Sequence, residues 1–202
     1  MIYIKWVICA IIDLLFNVIC YLTNPIVCLF ANKYGELPPI FLWWANWDDG
    51  LDVDWMVYEH EVPKWAEYDF NRHYKYHNEW EAEEITGLHH GFVEILDDNF
   101  TCYERLQRYV CRLAWMYRNC AYGFSYYVTG VDVDGSKVVE EKTYKDDGYM
   151  FKTAPNAWVL SYNQPSFIKG HRWKIFLGWK MQSVPKDKTE KCMLAFCINP
   201  FK

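Results

Sequence analysis

The sequence lacks the short motifs by which common catalytic and nucleotide-binding sites are recognised. It has no P-loop, no glycine-rich dinucleotide fingerprint, no nucleophile elbow and no paired-cysteine zinc motif. Low-complexity runs and internal repeats are also absent, and the net charge of −5 provides no basic excess for nucleic acid. We therefore expect no nucleic-acid partner, and no cofactor other than the divalent metal ion considered below.

Charge is almost absent from the N-terminal segment, residues 1–31. Asp13 is the only charged side chain in Trp6–Leu22, and about 20 apolar residues suffice to cross a bilayer. Lys5 is the only basic side chain before this apolar run and no small-x-small site follows it, so we do not expect cleavage. Pro25 predicts that the helix bends or ends near Tyr21. Three interpretations stay open: a membrane-embedded helix, an interfacial helix and a buried core helix.

The polar residues of this segment recur along one helical stripe. Cys9, Asp13, Asn17, Cys20 and Asn24 are spaced by four, four, three and four residues. Because a lipid-exposed carboxylate is costly, Asp13 and Asn17 should face a second helix, another copy of the chain or interfacial water. Association of copies through the Asp13/Asn17 face is one consequence.

The cysteines favour a reducing environment for the rest of the chain. Five of the eight lie after the apolar segment, and an odd number cannot form a complete disulfide set. We therefore expect a membrane-associated protein whose globular part faces the cytoplasm.

Aromatic residues are abundant, at 19% of the chain, and many fall in an aromatic and acidic connector, residues 32–62. Trp43, Trp44 and Trp47 follow the apolar segment closely, and Trp55 ends the Asp-rich stretch. Such residues form a membrane-interface belt, fill a core or bind a partner. We predict that these four tryptophans contribute to a binding surface.

A metal site is the main enzymatic alternative. Residues 63–202 form the predicted globular domain, which a helix over 63–85 would open. In that helix His73, His77 and Glu81 would share one face, and Asp52 and Asp54 could supply further oxygen ligands. The same pattern is also typical of a solvated helical face.

A second helix is predicted over Thr101–Asn119. Thr101 and Glu104 have the spacing of a capping box, and apolar residues from Leu106 to Tyr117 recur with the helical period of a buried face. Arg105, Arg108 and Arg112 line the other side, where they could bind acidic groups of lipid or protein or be solvated.

After Ala121 apolar and polar residues alternate, as is typical of β-strands. We predict strands at 126–133, 137–142, 158–162, 171–182 and 193–198, with a hairpin turn at Asp134–Gly135 and with the last strand covered on both faces. The fold class is therefore α+β, with an N-terminal hydrophobic helix, two further helices and a C-terminal antiparallel sheet of about five strands.

Several landmarks carry a resemblance to a known group. They are NPIVCLFAN and GELPP after the apolar segment, a Trp-rich stretch that ends in an Asp-rich loop, WMYRNCAYGF at 115–124 and WKIFLGWK at 173–180. Together they resemble a family of tailed-bacteriophage proteins that has a hydrophobic N-terminus and no assigned activity. The resemblance implies a phage origin and membrane association, and it transfers no catalytic residue. We therefore expect the protein at the host inner membrane. Arg118, Asn119 and Gly123 in the third landmark are expected to act structurally.

Three functions follow as hypotheses. The leading one is a membrane-associated accessory protein that binds a host or phage protein in host takeover, exclusion or anti-defence. A metal-dependent hydrolase is the second, and a virion structural component is the third. An enzyme is less favoured than a binding protein, because no catalytic signature supports it.

Overall fold

The computed structural model describes residues 1–45, 51, 62–67, 69–77, 84, 92–144, 148–165, 167, 171–181 and 184–199. The chain divides into two compact units. The first unit combines Met1–Phe16 with Phe124–Lys202, and the second is Asn17–Gly123. The first helix therefore contributes residues to both units.

The described helices are a long N-terminal helix and three shorter ones. They are α1 (Ile2–Val27), α2 (Phe70–His73), α3 (Cys102–Arg118) and α4 (Tyr122–Tyr127). Short 3₁₀ turns are described at Cys28–Phe30, Pro39–Phe41, Lys64–Ala66 and Gly135–Lys137.

The described strands form three antiparallel groups. The strands are β1 (Tyr74–His77), β2 (Phe92–Ile95), β3 (Val131–Asp134), β4 (Val139–Tyr144), β5 (Tyr149–Thr153), β6 (Trp158–Pro165), β7 (Arg172–Trp179), β8 (Thr189–Cys192) and β9 (Leu194–Asn199). β1 pairs with β2, β3 pairs with β8, and five strands form a sheet in the order β4-β5-β6-β7-β9. The predicted α+β class and the five-stranded C-terminal sheet are confirmed.

The first unit is built around the β6–β7 pair. Trp179 is fully buried and donates its indole N–H to the Thr129 carbonyl at 3.0 Å. Gly178 has φ +105, and a Cβ there would lie 2.1 Å from the Trp158 carbonyl oxygen. Only glycine allows this close approach of β7 to β6.

The second unit is built around α3. Thr101 and Glu104 form the predicted capping box, which satisfies the first backbone donors of the helix. Trp115 and Met116 form a core cluster with Val27, Cys28 and Leu51. The predicted helix over 101–119 is confirmed.

The predicted buried face of α3 is confirmed only in part: Met116 is buried and Tyr109 and Leu113 pack against its cluster. Leu106 is 48% exposed, whereas Gln107 and Arg112 are buried. Gln107 donates to the carbonyls of Trp65 and Glu67 at 2.8 and 2.7 Å, so its face satisfies backbone acceptors of a neighbouring turn. The need to satisfy buried backbone carbonyls decides which side of α3 faces the protein. The spacing of apolar residues in the sequence carries no information about that need.

The predicted helix over 63–85 is also wrong. The described part of that range contains a 3₁₀ turn, the single helical turn of α2 and strand β1. β1 pairs with β2 from Tyr74↔Ile95 to His77↔Phe92. Long-range strand pairing overrides the helical propensity of this stretch.

Three strand expectations need correction. Residues 122–127 form α4, and β3 pairs with β8 and not with β4, so Asp134–Gly135 is not a hairpin turn. The last strand, β9, lies at the sheet edge with Phe196 and Ile198 exposed, so it is not covered on both faces. The strands predicted near 158–162 and 171–182 are confirmed as β6 and β7.

Candidate membrane-binding surface

Helix α1 continues through Pro25 to Val27, so it does not end near Tyr21. Proline has no N–H to donate to the carbonyl four residues earlier, which here belongs to Tyr21. The Tyr117 hydroxyl donates to that carbonyl at 3.2 Å, and the Tyr109 hydroxyl donates to the Pro25 carbonyl at 2.9 Å. Two tyrosines of α3 thus satisfy the backbone acceptors at this point.

The polar stripe of α1 faces the folded chain. In the first unit, the Ser125 hydroxyl of α4 donates to the Asp13 carboxylate at 2.6 Å. In the second unit, Asn24 is 1% exposed and donates to the Met116 carbonyl at 3.2 Å. The prediction that the stripe faces another helix is met by α3 and α4 of the same chain.

The opposite side of α1 is apolar and exposed, and we call it the outer face. Its large side chains are at least 45% exposed, and include Ile4, Val7, Ile8, Ile11, Ile12, Leu14, Leu15, Val18, Ile19, Leu22 and Ile26. Only 11% of the most apolar 18-residue stretch of Ile2–Phe30 is buried. This helix therefore has inverted amphipathicity: polar groups face the protein and apolar groups face outward.

The 3₁₀ turn at Pro39–Phe41 extends the exposed apolar surface in the second unit. Phe41 packs against Phe30 with ring centroids 5.1 Å apart, and Ile40 is 79% exposed. Trp44 donates its indole N–H to the Thr23 hydroxyl at 2.8 Å, while Trp43 remains 45% exposed. The structure thus places Trp43 outward and holds Trp44 against α1. Trp47 and Trp55 lie outside the described residues.

The three predicted binding arginines have different environments. Arg112 is buried and donates to the Asn32 carbonyl at 3.0 Å. Arg108 donates to the Lys33 carbonyl and stacks over Phe100, with its guanidinium carbon 4.7 Å from the ring centroid. These two arginines hold the chain just after α1 in place. Arg105 lies on the exposed part of α3.

A buried histidine, which sequence reasoning assigned to a metal, joins α2 to the start of α3. His73 is 0% exposed, its Nδ1 lies 2.9 Å from the Asp97 carbonyl oxygen, and its Nε2 lies 3.3 Å from Glu104 Oε1. Hydrogen bonds from the Thr101 backbone and hydroxyl lower the pKa of Glu104 to about 2. Arg72 also contacts Glu104 at 3.1 Å. Both carboxylate oxygens of Glu104 therefore have partners, and the cluster links α2 to the start of α3 structurally.

The helical geometry behind the predicted metal site is not present. His73 ends α2, whereas His77 ends β1 and lies 2.9 Å from Glu94. Within the described parts of the chain, no group of three His, Cys, Asp or Glu side chains could hold a metal ion. Asp52, Asp54 and Glu81 lie outside the described residues.

All eight cysteines are described and none forms a disulfide. Cys20, Cys28, Cys111 and Cys192 are buried. Burial raises the pKa of the Cys192 thiol to about 12, which leaves it protonated and unreactive at neutral pH. These buried thiols pack as small apolar side chains.

Two residue types important to this surface had no sequence signal. Ser125 is a partner of Asp13 only in the folded chain, and the sequence could not assign the hydroxyls of Tyr109 and Tyr117 to the carbonyls near Pro25.

The residues of the 115–124 landmark have structural contacts. Arg118 stacks over Trp115, and Gly123 has no left-handed backbone angle. Gly123 is instead required by close approach, since a Cβ there would lie 2.0 Å from the Leu42 carbonyl oxygen.

One described helical segment, Ile2–Phe30, is long and apolar enough to cross a membrane by length and composition. No curated protein and no solved structure matches the chain. The profile of a family of unknown function, DUF7338, matches residues 1–202. The chain is therefore a member of the family of unknown function DUF7338 over its whole length.

Proposed function

We propose that this chain is a phage-encoded accessory protein that associates with the host inner membrane, has its globular part in the cytoplasm and acts by binding another protein. Host takeover, exclusion of other phages and anti-defence are the processes in which such a protein would act. The phage origin is supported by the landmarks at 24–39, 115–124 and 173–180.

The inverted amphipathicity of α1 carries the membrane part of this proposal. A soluble protein seldom leaves contiguous apolar patches beyond a few hundred Å² in water. The outer face runs from Ile4 to Ile26, which corresponds to a helix length of about 35 Å. Lipid acyl chains would cover this face without requiring a polar partner.

Fractionation of cells that express the full-length chain tests membrane association. We expect the protein to resist carbonate and to require detergent, and a Leu15→Glu/Leu22→Glu variant to move to the soluble fraction. Leu96→Glu, at an exposed leucine outside α1, is the matched control and should stay with the membrane. A wild-type protein that is soluble without detergent would refute the proposal. Deletion of α1 is unsuitable because Val27 and Cys28 belong to a core cluster.

The protein-binding part rests on an exposed patch in the second unit. The Tyr103 hydroxyl donates to the Trp65 carbonyl at 2.9 Å, which places these two aromatic residues side by side. Both are exposed, as is Leu106, which lies one helical turn from Tyr103 on the same side of α3. Tryptophan, tyrosine and arginine are the residue types that dominate binding energy at protein interfaces.

Site-specific photocrosslinking tests the patch. A photoreactive residue at Leu106 should give a discrete protein adduct in infected or expressing cells, and Tyr103→Ala should reduce its yield. The same residue at Phe167, which is 79% exposed, is the control and should give no such adduct. Equal adduct patterns at both positions would show that the patch has no specific partner.

A further inference from the structure

We infer that α1 lies in the plane of the membrane, within the interface of one leaflet, and that the Pro39–Phe41 turn inserts beside it. The inference rests on the proposed membrane association and specifies how the surface meets lipid. Its occupant is therefore a bilayer surface and not a second protein.

The contacts of the polar stripe argue against a membrane-crossing orientation. Trp6 donates to the Gly178 carbonyl at 3.2 Å, and Asp13 and Asn24 make the contacts described above. A crossing needs about 20 residues in the hydrocarbon. Any such stretch of Ile2–Val27 includes Asp13 and at least one of Trp6 and Asn24. An upright helix would thus carry folded backbone into the hydrocarbon at two or more points, whereas an in-plane helix keeps that backbone in water.

The width of the outer face favours lipid over another helix. At about 100° per residue, its exposed apolar side chains cover about 180° of the helix circumference. A single partner helix would cover only a narrow stripe of α1, whereas the membrane interface would cover the whole exposed half of the helix. Asp13, the only charged residue between Trp6 and Val27, lies on the opposite side and is bonded to Ser125.

The Pro39–Phe41 turn provides a second point of insertion. Phe41 contacts Phe30, and the neighbouring residues Ile40 and Trp43 are exposed. An apolar side chain next to a tryptophan is suited to the boundary between headgroups and acyl chains. Lys33, between α1 and this turn, is exposed and can reach lipid phosphates.

Flotation of the full-length protein with vesicles of equal parts phosphatidylethanolamine and phosphatidylglycerol tests the orientation. In the plane, all outer-face positions lie at one depth, so Ile4→Glu, Leu15→Glu and Ile26→Glu should each lower partitioning by a similar factor, roughly tenfold. Ile40→Glu should lower it as well. Leu96→Glu is the control and should bind as wild type does.

The outcomes separate this inference from the proposed function. A loss that peaks at Leu15, with Ile4→Glu and Ile26→Glu near wild type, would indicate a crossing helix and overturn the in-plane orientation while leaving membrane association intact. A wild-type protein that does not float would overturn both. An outer-face variant that still floats but changes from dimer to monomer would show that a second copy covers the face, which also overturns the inference.

Protease access gives an independent readout. With tags at both ends of the full chain, added to the outside of preformed vesicles, an in-plane helix leaves both tags accessible. Protection of the N-terminal tag alone would show that α1 crosses the bilayer and would refute the inference. Circular dichroism of each variant verifies that an altered result does not come from unfolding.

Discussion

Replacement of Gly123 by alanine should destabilise the second unit by about 1.5–4.5 kcal/mol. The new Cβ would lie 2.0 Å from the Leu42 carbonyl oxygen and 2.9 Å from that of Ala45. Favourable carbon contacts occur near 3.5 Å, so the 42–45 segment must retreat by about 1.5 Å. Overpacking of this kind costs about 1–3 kcal/mol. The retreat also stretches the 2.9 Å hydrogen bond from the Gly123 N–H to the Ala45 carbonyl, which adds about 0.5–1.5 kcal/mol.

Urea unfolding of Gly123→Ala in mild detergent measures this loss as a lower transition midpoint. Vesicle binding should fall as well, because the displaced segment carries Trp43 and adjoins Ile40. Ala121→Gly is the control: it relieves a φ of +57 but removes a buried methyl group, two effects of about 1 kcal/mol that oppose each other. Wild-type stability of Gly123→Ala would refute the close approach of Leu42 to this glycine.

Three further changes test other parts of the fold. Gly178→Ala combines a φ of +105 with a Cβ 2.1 Å from the β6 backbone, so urea unfolding should show a loss of about 2–5 kcal/mol; a near-neutral result would contradict the β6–β7 geometry. Because the pKa of Glu104 falls from 4.5 to about 2 on folding, its stabilisation is complete above pH 4.5 and is lost as the pH drops toward 2. Glu104→Gln should therefore flatten the thermal-stability profile in that pH range, and an unchanged slope would argue against the bonds from Thr101. Tyr117→Phe should cost about 0.5–1.5 kcal/mol in urea unfolding by removing the donor to the carbonyl freed by Pro25, and no loss would show that water replaces it.

Local signals in the sequence predicted the parts of the fold that local physics determines. The capping box at Thr101 and Glu104 located the start of α3, because both partners lie within one helical turn. Alternation along 171–182 located β7 for the same reason, since strand patterning repeats every two residues. The apolar length of residues 1–31 likewise predicted α1.

Long-range pairing decided the parts that were predicted wrongly. The stretch at 74–77 has no proline or glycine, yet it forms β1 because residues 92–95 pair with it. The sequence placed Arg112 on a basic stripe that could be solvated, but its guanidinium donates to the Asn32 carbonyl. Each error concerns a partner distant in sequence, which composition and periodicity cannot supply.

The candidate surface was predictable in composition but not in direction. The spacing of Asp13, Asn17 and Asn24 showed that α1 has a polar side, while the side that faces the protein depends on what the rest of the chain presents. A carbonyl of α3 and a hydroxyl of α4 bond to the stripe, and these hydrogen bonds orient the polar side of α1 toward the protein. An aqueous environment would favour the opposite arrangement, with the apolar side buried.

This orientation also limits how α1 can act as an anchor. Trp6 packs against the core cluster of the first unit, and Val27 and Cys28 belong to that of the second. The helix therefore contributes to both cores. Its contacts with the rest of the chain also determine that its apolar side faces outward. Under the proposed membrane association, lipid binding and folding would use opposite sides of one helix. A charge on the outer face should then release the protein from the membrane without unfolding it, whereas a change at Asn24 should affect both folding and binding.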